Sequence, residues 1–152
     1  MARGDARAAD TLAEQFGKTV HSFGPAGDQL KAMLCSNTFA ASEAFTNISQ
    51  FTEVVGTGYT AGGNNITTTS FSRTDEVTTL QCADTSWAQN GAGPTDVRVC
   101  VLYNSAAGAV GNDDVLEVID LTSDGTAPVS LQAGAINVNF STNPTVQSQA
   151  TT

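Results

Sequence analysis

A chain of 152 residues is the length of about one domain and buries roughly two thirds of its unfolded surface in a single core. Fifteen Asp and Glu against six Lys and Arg give a net charge of -9 and an isoelectric point near 4.1, which argues against nucleic-acid binding driven by phosphate contacts. Residues 32–152 hold two basic and eleven acidic residues and so carry the whole -9, while residues 1–31 are neutral and mixed. An acidic body resists non-specific association, and a mixed arm suits docking on a partner.

In chain order, "ARAADTLAEQFGK" comes first. Ala6, Ala9, Leu12, Ala13 and Phe16 recur at helical spacing ahead of Gly17, so the segment predicts a short, weakly amphipathic N-terminal helix or arm over residues 1–17. The charges in it stand where a secretory signal sequence would have its apolar core, so no such signal is expected. "KTVHSF" and "DQLKAMLCSN" follow as strands on either side of the turn "GPAG". In the second, Leu30, Ala32 and Leu34 alternate with Gln29, Lys31 and Met33, which predicts one buried face.

"EVVGTGYTAGGNNITTT" concentrates glycines around a single aromatic, Tyr59, and then turns into threonines. Glycine permits positive φ and tight turns, so this reads as a loop feeding a β-branched strand, "ITTTSFSRTDEVTTLQC". "DVRVCVLYN" places Val97, Val99, Val101 and Tyr103 on one face. "DDVLEVIDL" and "APVSL" are further strands. "AINVNF" alternates Ile136, Val138 and Phe140 with Asn137 and Asn139. Six to eight short strands separated by Gly, Asn and Asp predict a mainly β fold, an antiparallel sandwich or barrel, over residues 18–141. "TNPTVQSQATT" has little to bury and predicts a flexible tail over residues 142–152. No internal repeat is visible, and no apolar run approaches the ~20 residues that span a bilayer.

The side chains that carry chemistry do not form a recognisable set. Cys35, Cys82 and Cys100 are odd in number and lack zinc spacing, which fits three buried thiols in a reducing cytoplasm. The sequons at Asn47, Asn65 and Asn139 are then not glycosylated. His21 is the only histidine and has no nucleophile motif to serve. Asp113, Asp114, Glu117, Asp120 and Asp124 are the densest acids, without the spacing of a calcium loop; Glu117 and Asp120 face opposite sides of a strand, so the group reads as solvated turn carboxylates. "GTGYTAGG" is neither a phosphate loop nor a dinucleotide fingerprint. Tyr59 and Trp87 are the candidates for a sugar-stacking platform, against the plainer reading of Trp87 as core. No catalytic residue, metal ligand or cofactor site is expected.

The order of segments adds a further observation. "LKAMLCSNTFAASEAFTNISQFTEVVGTGYTAGGNNIT", then "LQCADTSWAQNGAGPTDVRVCVLYN", then "VSLQAGAINVNFS" resembles a group of small structural proteins of tailed bacteriophages, over Leu30 to Ser141. The resemblance implies a virion component without enzymatic activity, most plainly a head decoration or cement protein. Its implied partners are the major capsid protein and copies of itself, as a homotrimer, with no nucleic acid and no membrane. It would be made in the host cytoplasm and located on the capsid surface. A carbohydrate-binding or host-adsorption module, or a tail-associated structural protein, is the alternative. Residues 1–28 lie outside the resemblance and read as an added arm; loss of residues 1–17 is expected to leave the fold intact and weaken attachment.

Overall fold

The computed structural model describes residues 6–8, 23, 27–38, 45–74, 77–105, 113–122, 125–140 and 146–149. The fold is mainly β, with ten strands among the described residues, in antiparallel sheets: β1 (Ala6–Ala8), β2 (Leu30–Cys35), β3 (Asn64–Ile66), β4 (Thr68–Thr74), β5 (Val77–Cys82), β6 (Thr85–Trp87), β7 (Val99–Asn104), β8 (Val115–Asp120), β9 (Ile136–Val138) and β10 (Val146–Gln149). They exceed the expected six to eight because four of them are three-residue pieces. One five-stranded sheet runs β1-β8-β7-β2-β3, beside a three-stranded sheet β10-β5-β4 and a pair β6-β9. Among the described residues β1 and β3 stand at the two edges of that sheet, so the fold is sandwich-like, with open sheets, and not a closed barrel.

The central strands are covered on both faces. On one side Leu30, Ala32 and Leu34 of β2 join Cys100 and Leu102 of β7 in a core completed by Leu80, Trp87, Leu131, Ile136 and Phe140. On the other, Met33 and Cys35 join Val99, Val101 and Tyr103 beneath Phe45, with Ile48 and Phe51 packed against them. The single buried face expected of β2 is therefore two, because the 45–51 segment folds back over the strand. A 3-10 turn, Ile48–Gln50, holds that segment in place: Asn47 accepts from the Ser49 N–H at 3.0 Å and the Gln50 side chain accepts from the Asn47 N–H at 3.1 Å. Val97 also departs from expectation. It packs in the first core while Val99, Val101 and Tyr103 line the second.

A bulge shapes β8. Leu102 pairs with Glu117 but Tyr103 pairs with Val115, leaving Leu116 as the extra residue. Such a bulge turns two successive side chains toward one side. Leu116 packs in the first core, and its neighbour Glu117 follows, sharing the Leu102 face.

Both ends of the chain depart from the sequence reading. Ala6–Ala8, expected in a short helix or arm, is extended and pairs with Glu117 to Ile119 along the edge of β8; the rest of residues 1–17 lies outside the described residues, as do His21 and most of the "KTVHSF" strand. Val146–Gln149, expected in a flexible tail, pairs with Val77 to Leu80 of β5. Its sequence, VQSQ, carries little hydrophobic signal, yet the backbone donors and acceptors of β5 give it a partner. "APVSL" contributes only an isolated bridge, Val129 to Val97, followed by a turn.

Candidate functional site

The glycine-rich stretch folds as a loop tied to the central sheet by one carboxylate and two tyrosines. Glu53 bridges to Cys35 of β2, and its Oε1 accepts hydrogen bonds from the Tyr59 hydroxyl at 2.7 Å and the Gly62 N–H at 2.6 Å. The Tyr59 oxygen in turn accepts from the Leu34 N–H at 3.1 Å. Tyr103 donates to the Gly62 carbonyl at 2.9 Å. Gly58, Gly62 and Gly63 have positive φ. At Gly63 the need for glycine is absolute in space as well as in φ, since a Cβ would lie 1.9 Å from the Ala32 carbonyl oxygen.

Two further loops join it. Thr57 donates to the Ala92 carbonyl at 3.0 Å, and Asn90 donates to the Leu131 carbonyl at 3.0 Å. Gln132 Nε2 reaches the Gly93 carbonyl at 3.0 Å and Gln89 Nε2 the Gln132 carbonyl at 2.8 Å. Gly56 sits against Pro94 so closely that a Cβ there would meet the proline nitrogen at 2.7 Å. These contacts join residues 53–63, 88–94 and 130–134 into one ordered end of the domain. From it Val55 projects, 85% exposed. Glu53, which anchors the loop, is not distinguished by any motif; its only signal is a lone acid flanking a glycine-rich run.

Tyr59 and Trp87 do lie together, ring centroids 6.4 Å apart. Trp87 is 3% exposed and Tyr59 is half-buried, with its hydroxyl engaged on both sides. A stacking platform needs an open ring face, and Trp87 offers none. Its Nε1 is buried without a hydrogen-bond partner. Burial and the Glu53 hydrogen bond raise the Tyr59 pKa, so the phenol stays protonated.

The acids do not form a solvated cluster. Glu117 is 4% exposed with Oε2 unpartnered, and burial pushes its carboxyl up to about 8. Asp120 is 6% exposed and accepts from the Thr122 N–H at 2.8 Å and hydroxyl at 2.6 Å. The two stand on opposite faces of β8, as their partners Leu102 and Val99 require. Asp113, at φ 65°, and Asp114 are half-buried at the turn into β8; Asp124 lies outside the described residues. Among the described residues, no three His, Cys, Asp or Glu side chains are placed to hold a metal ion.

The three cysteines are buried and not disulfide-bonded. Burial, with the Glu53 charge second, pushes Cys35 up to about 12, and burial raises Cys100 as well. Such thiols are poor nucleophiles. An open groove of about 680 Å³ runs beside β8 and β9, with Ile119, Leu121, Val129, Ile136 and Val138 on its walls. Its one ionisable side chain among the lining residues is Asp120, already bound to Thr122.

No protein-family model matches the chain, and neither a curated protein nor a solved structure matches it.

Proposed function

We propose that this chain is a structural protein of a tailed-bacteriophage virion, a head decoration or cement protein that binds the outer surface of the assembled capsid. One observation carries the reading. The segments that resemble that group are the ones that build the scaffold: β2, the Tyr59 loop, Trp87, β7 and the Ile136–Phe140 run supply the core and its anchoring hydrogen bonds. The shared pattern thus describes a rigid body and its ordered loops, which is what a protein acting by contact needs. A protein that binds only the assembled shell stabilises it in proportion to occupancy, and many identical sites multiply modest contacts into avidity. The major capsid protein is the partner in this reading, and a homotrimer the form that closes on a local threefold axis.

Cosedimentation of the purified chain with separated heads and tails of the virus that encodes it tests the proposal. Saturable binding to heads, at a fixed ratio to the major capsid subunit, is the expected result. Binding to tails or to host glycans, with none to heads, overturns it.

A further inference from the structure

The open groove beside β8 and β9 follows strand edges. The consecutive residues Ala133 to Asn139 all line it, and so do Ile119, Asp120 and Leu121 in succession. Successive side chains of a strand point to opposite faces, so a groove on one face is lined by every second residue; a groove lined by each residue in turn runs along the edge. β9 has β6 on one side and, among the described residues, no strand on the other. Along β8 the pairing with β1 stops at Ile119, and Asp120 and Leu121 continue past it. The apolar part of the lining belongs to the margin of the first core: Ile119, Leu121 and Val129 are half-buried and pack against it. Residues 125–152 contain no Asp, Glu, Lys or Arg, so the charges that commonly blunt a free edge are missing from β9.

We propose that this groove receives an extended segment of another polypeptide, with apolar residues at alternate positions and lysine or arginine rather than acids at its flanks, which adds a strand along the open edge of β9. The backbone identifies the occupant as a strand. An edge offers a row of N–H and C=O groups that an extended chain satisfies, while every second side chain of that chain turns inward, here toward Ile119, Leu121 and Val129, and the others face water. The size agrees: a residue in a sheet takes up about 3.3 by 4.8 by 10 Å, so the groove of about 680 Å³ holds about four residues. Charge sets the rest. A body of net charge -9 attracts cationic segments and repels anionic ones, and the one ionisable side chain in the lining, Asp120, is itself a carboxylate committed to Thr122. The inference concerns this groove and does not depend on attachment to a capsid.

Titration of the full chain with synthetic heptapeptides tests it, followed through the amide resonances of the protein. The peptides have the form Thr-X-Thr-X-Thr-X-Lys, with X valine, leucine or phenylalanine. At least one is expected to bind saturably, with the shifts concentrated in residues 119–121 and 133–139. Glutamate in place of the threonines, or proline at the central X, should weaken binding about tenfold or more, the second because proline cannot complete the ladder. Ala135→Trp fills the groove from an exposed position and should abolish binding, whereas Ala92→Trp, exposed and outside the lining, should not; both should keep the circular dichroism spectrum of the wild type. Failure of every peptide to bind overturns the proposal, as does equal binding to Ala135→Trp or equal binding of the proline peptide. Slow hydrogen exchange of all the amides of residues 135–139 in the free chain also overturns it: it assigns the groove to the chain's own residues, or to a second copy if the protection grows with protein concentration.

Discussion

Glu117→Gln should make this protein more stable, and increasingly so as the pH rises from 4.5 to 8. The Glu117 carboxyl is buried on the core face of β8 with one oxygen unpartnered, and burial alone lifts it from 4.5 to about 8. Between those values the folded chain binds a proton there that the unfolded chain has released. Stability therefore falls as pH rises through the window, and is flat on either side of it. At 1.36 kcal/mol for each tenfold change in proton activity, the accumulated cost is about 4 kcal/mol at pH 8. Gln keeps the shape and stays neutral, which removes this dependence. The assay is urea unfolding at several pH values, read through the fluorescence of Trp87, the single tryptophan, which is 3% exposed in the folded chain. The two proteins should be close in stability at pH 4.5 and separate steadily to pH 8, with similar dependence on urea. Parallel curves, or a wild type that gains on the variant with rising pH, would refute the argument that Glu117 is held neutral by burial.

Two substitutions test the glycine-rich loop. Tyr59→Phe leaves the Leu34 N–H and one Glu53 oxygen without the hydroxyl between them, and should cost about 1–3 kcal/mol in chemical denaturation; an unchanged midpoint would mean that the hydroxyl pins nothing. Gly63→Ala must displace either the loop or the Ala32 peptide, given the 1.9 Å approach and φ of 74°. It should destabilise by more than about 3 kcal/mol or prevent folding, and a variant with wild-type melting would show that the loop does not lie against β2.

The parts of the fold that are legible in the sequence are those with one covered face. Ile136, Val138 and Phe140 are buried and Asn137 and Asn139 exposed, as strict alternation requires. β2 and β7 are harder to read because both faces are covered: Met33 and Leu34, or Val101 and Leu102, go to different cores, and a continuous apolar run does not say which. The burial of Glu117 follows from a bulge, and alternation counted through "DDVLEVIDL" has no means of showing where a residue is inserted. β10 escapes for another reason. Val146–Gln149 is held by backbone pairing to β5, which leaves no trace in side-chain composition. Of the site, Tyr59 stands out as the lone aromatic among glycines, whereas the joining of its loop to residues 88–94 and 130–134 rests on main-chain and amide hydrogen bonds between distant segments.

The strand pairings also dictate when the chain can complete its fold. β2 pairs with β7, so Leu30 waits for Asn104. Ala6 waits for Ile119, and Leu80 waits for Val146. In the five-stranded sheet only β7 and β8 close across a short connection, while β1–β8 and β2–β7 join distant segments, and such non-local topologies reach the native state in milliseconds to seconds, more slowly than helical domains of similar size. During synthesis β2 emerges early, with apolar side chains for two cores and no partner to cover either. The acidic residues that dominate the chain from Glu43 onward, eleven acids counted from residue 32 against two basic residues, repel nascent copies from one another during that interval, so the charge of the chain protects the unfinished domain from association through its uncovered strands.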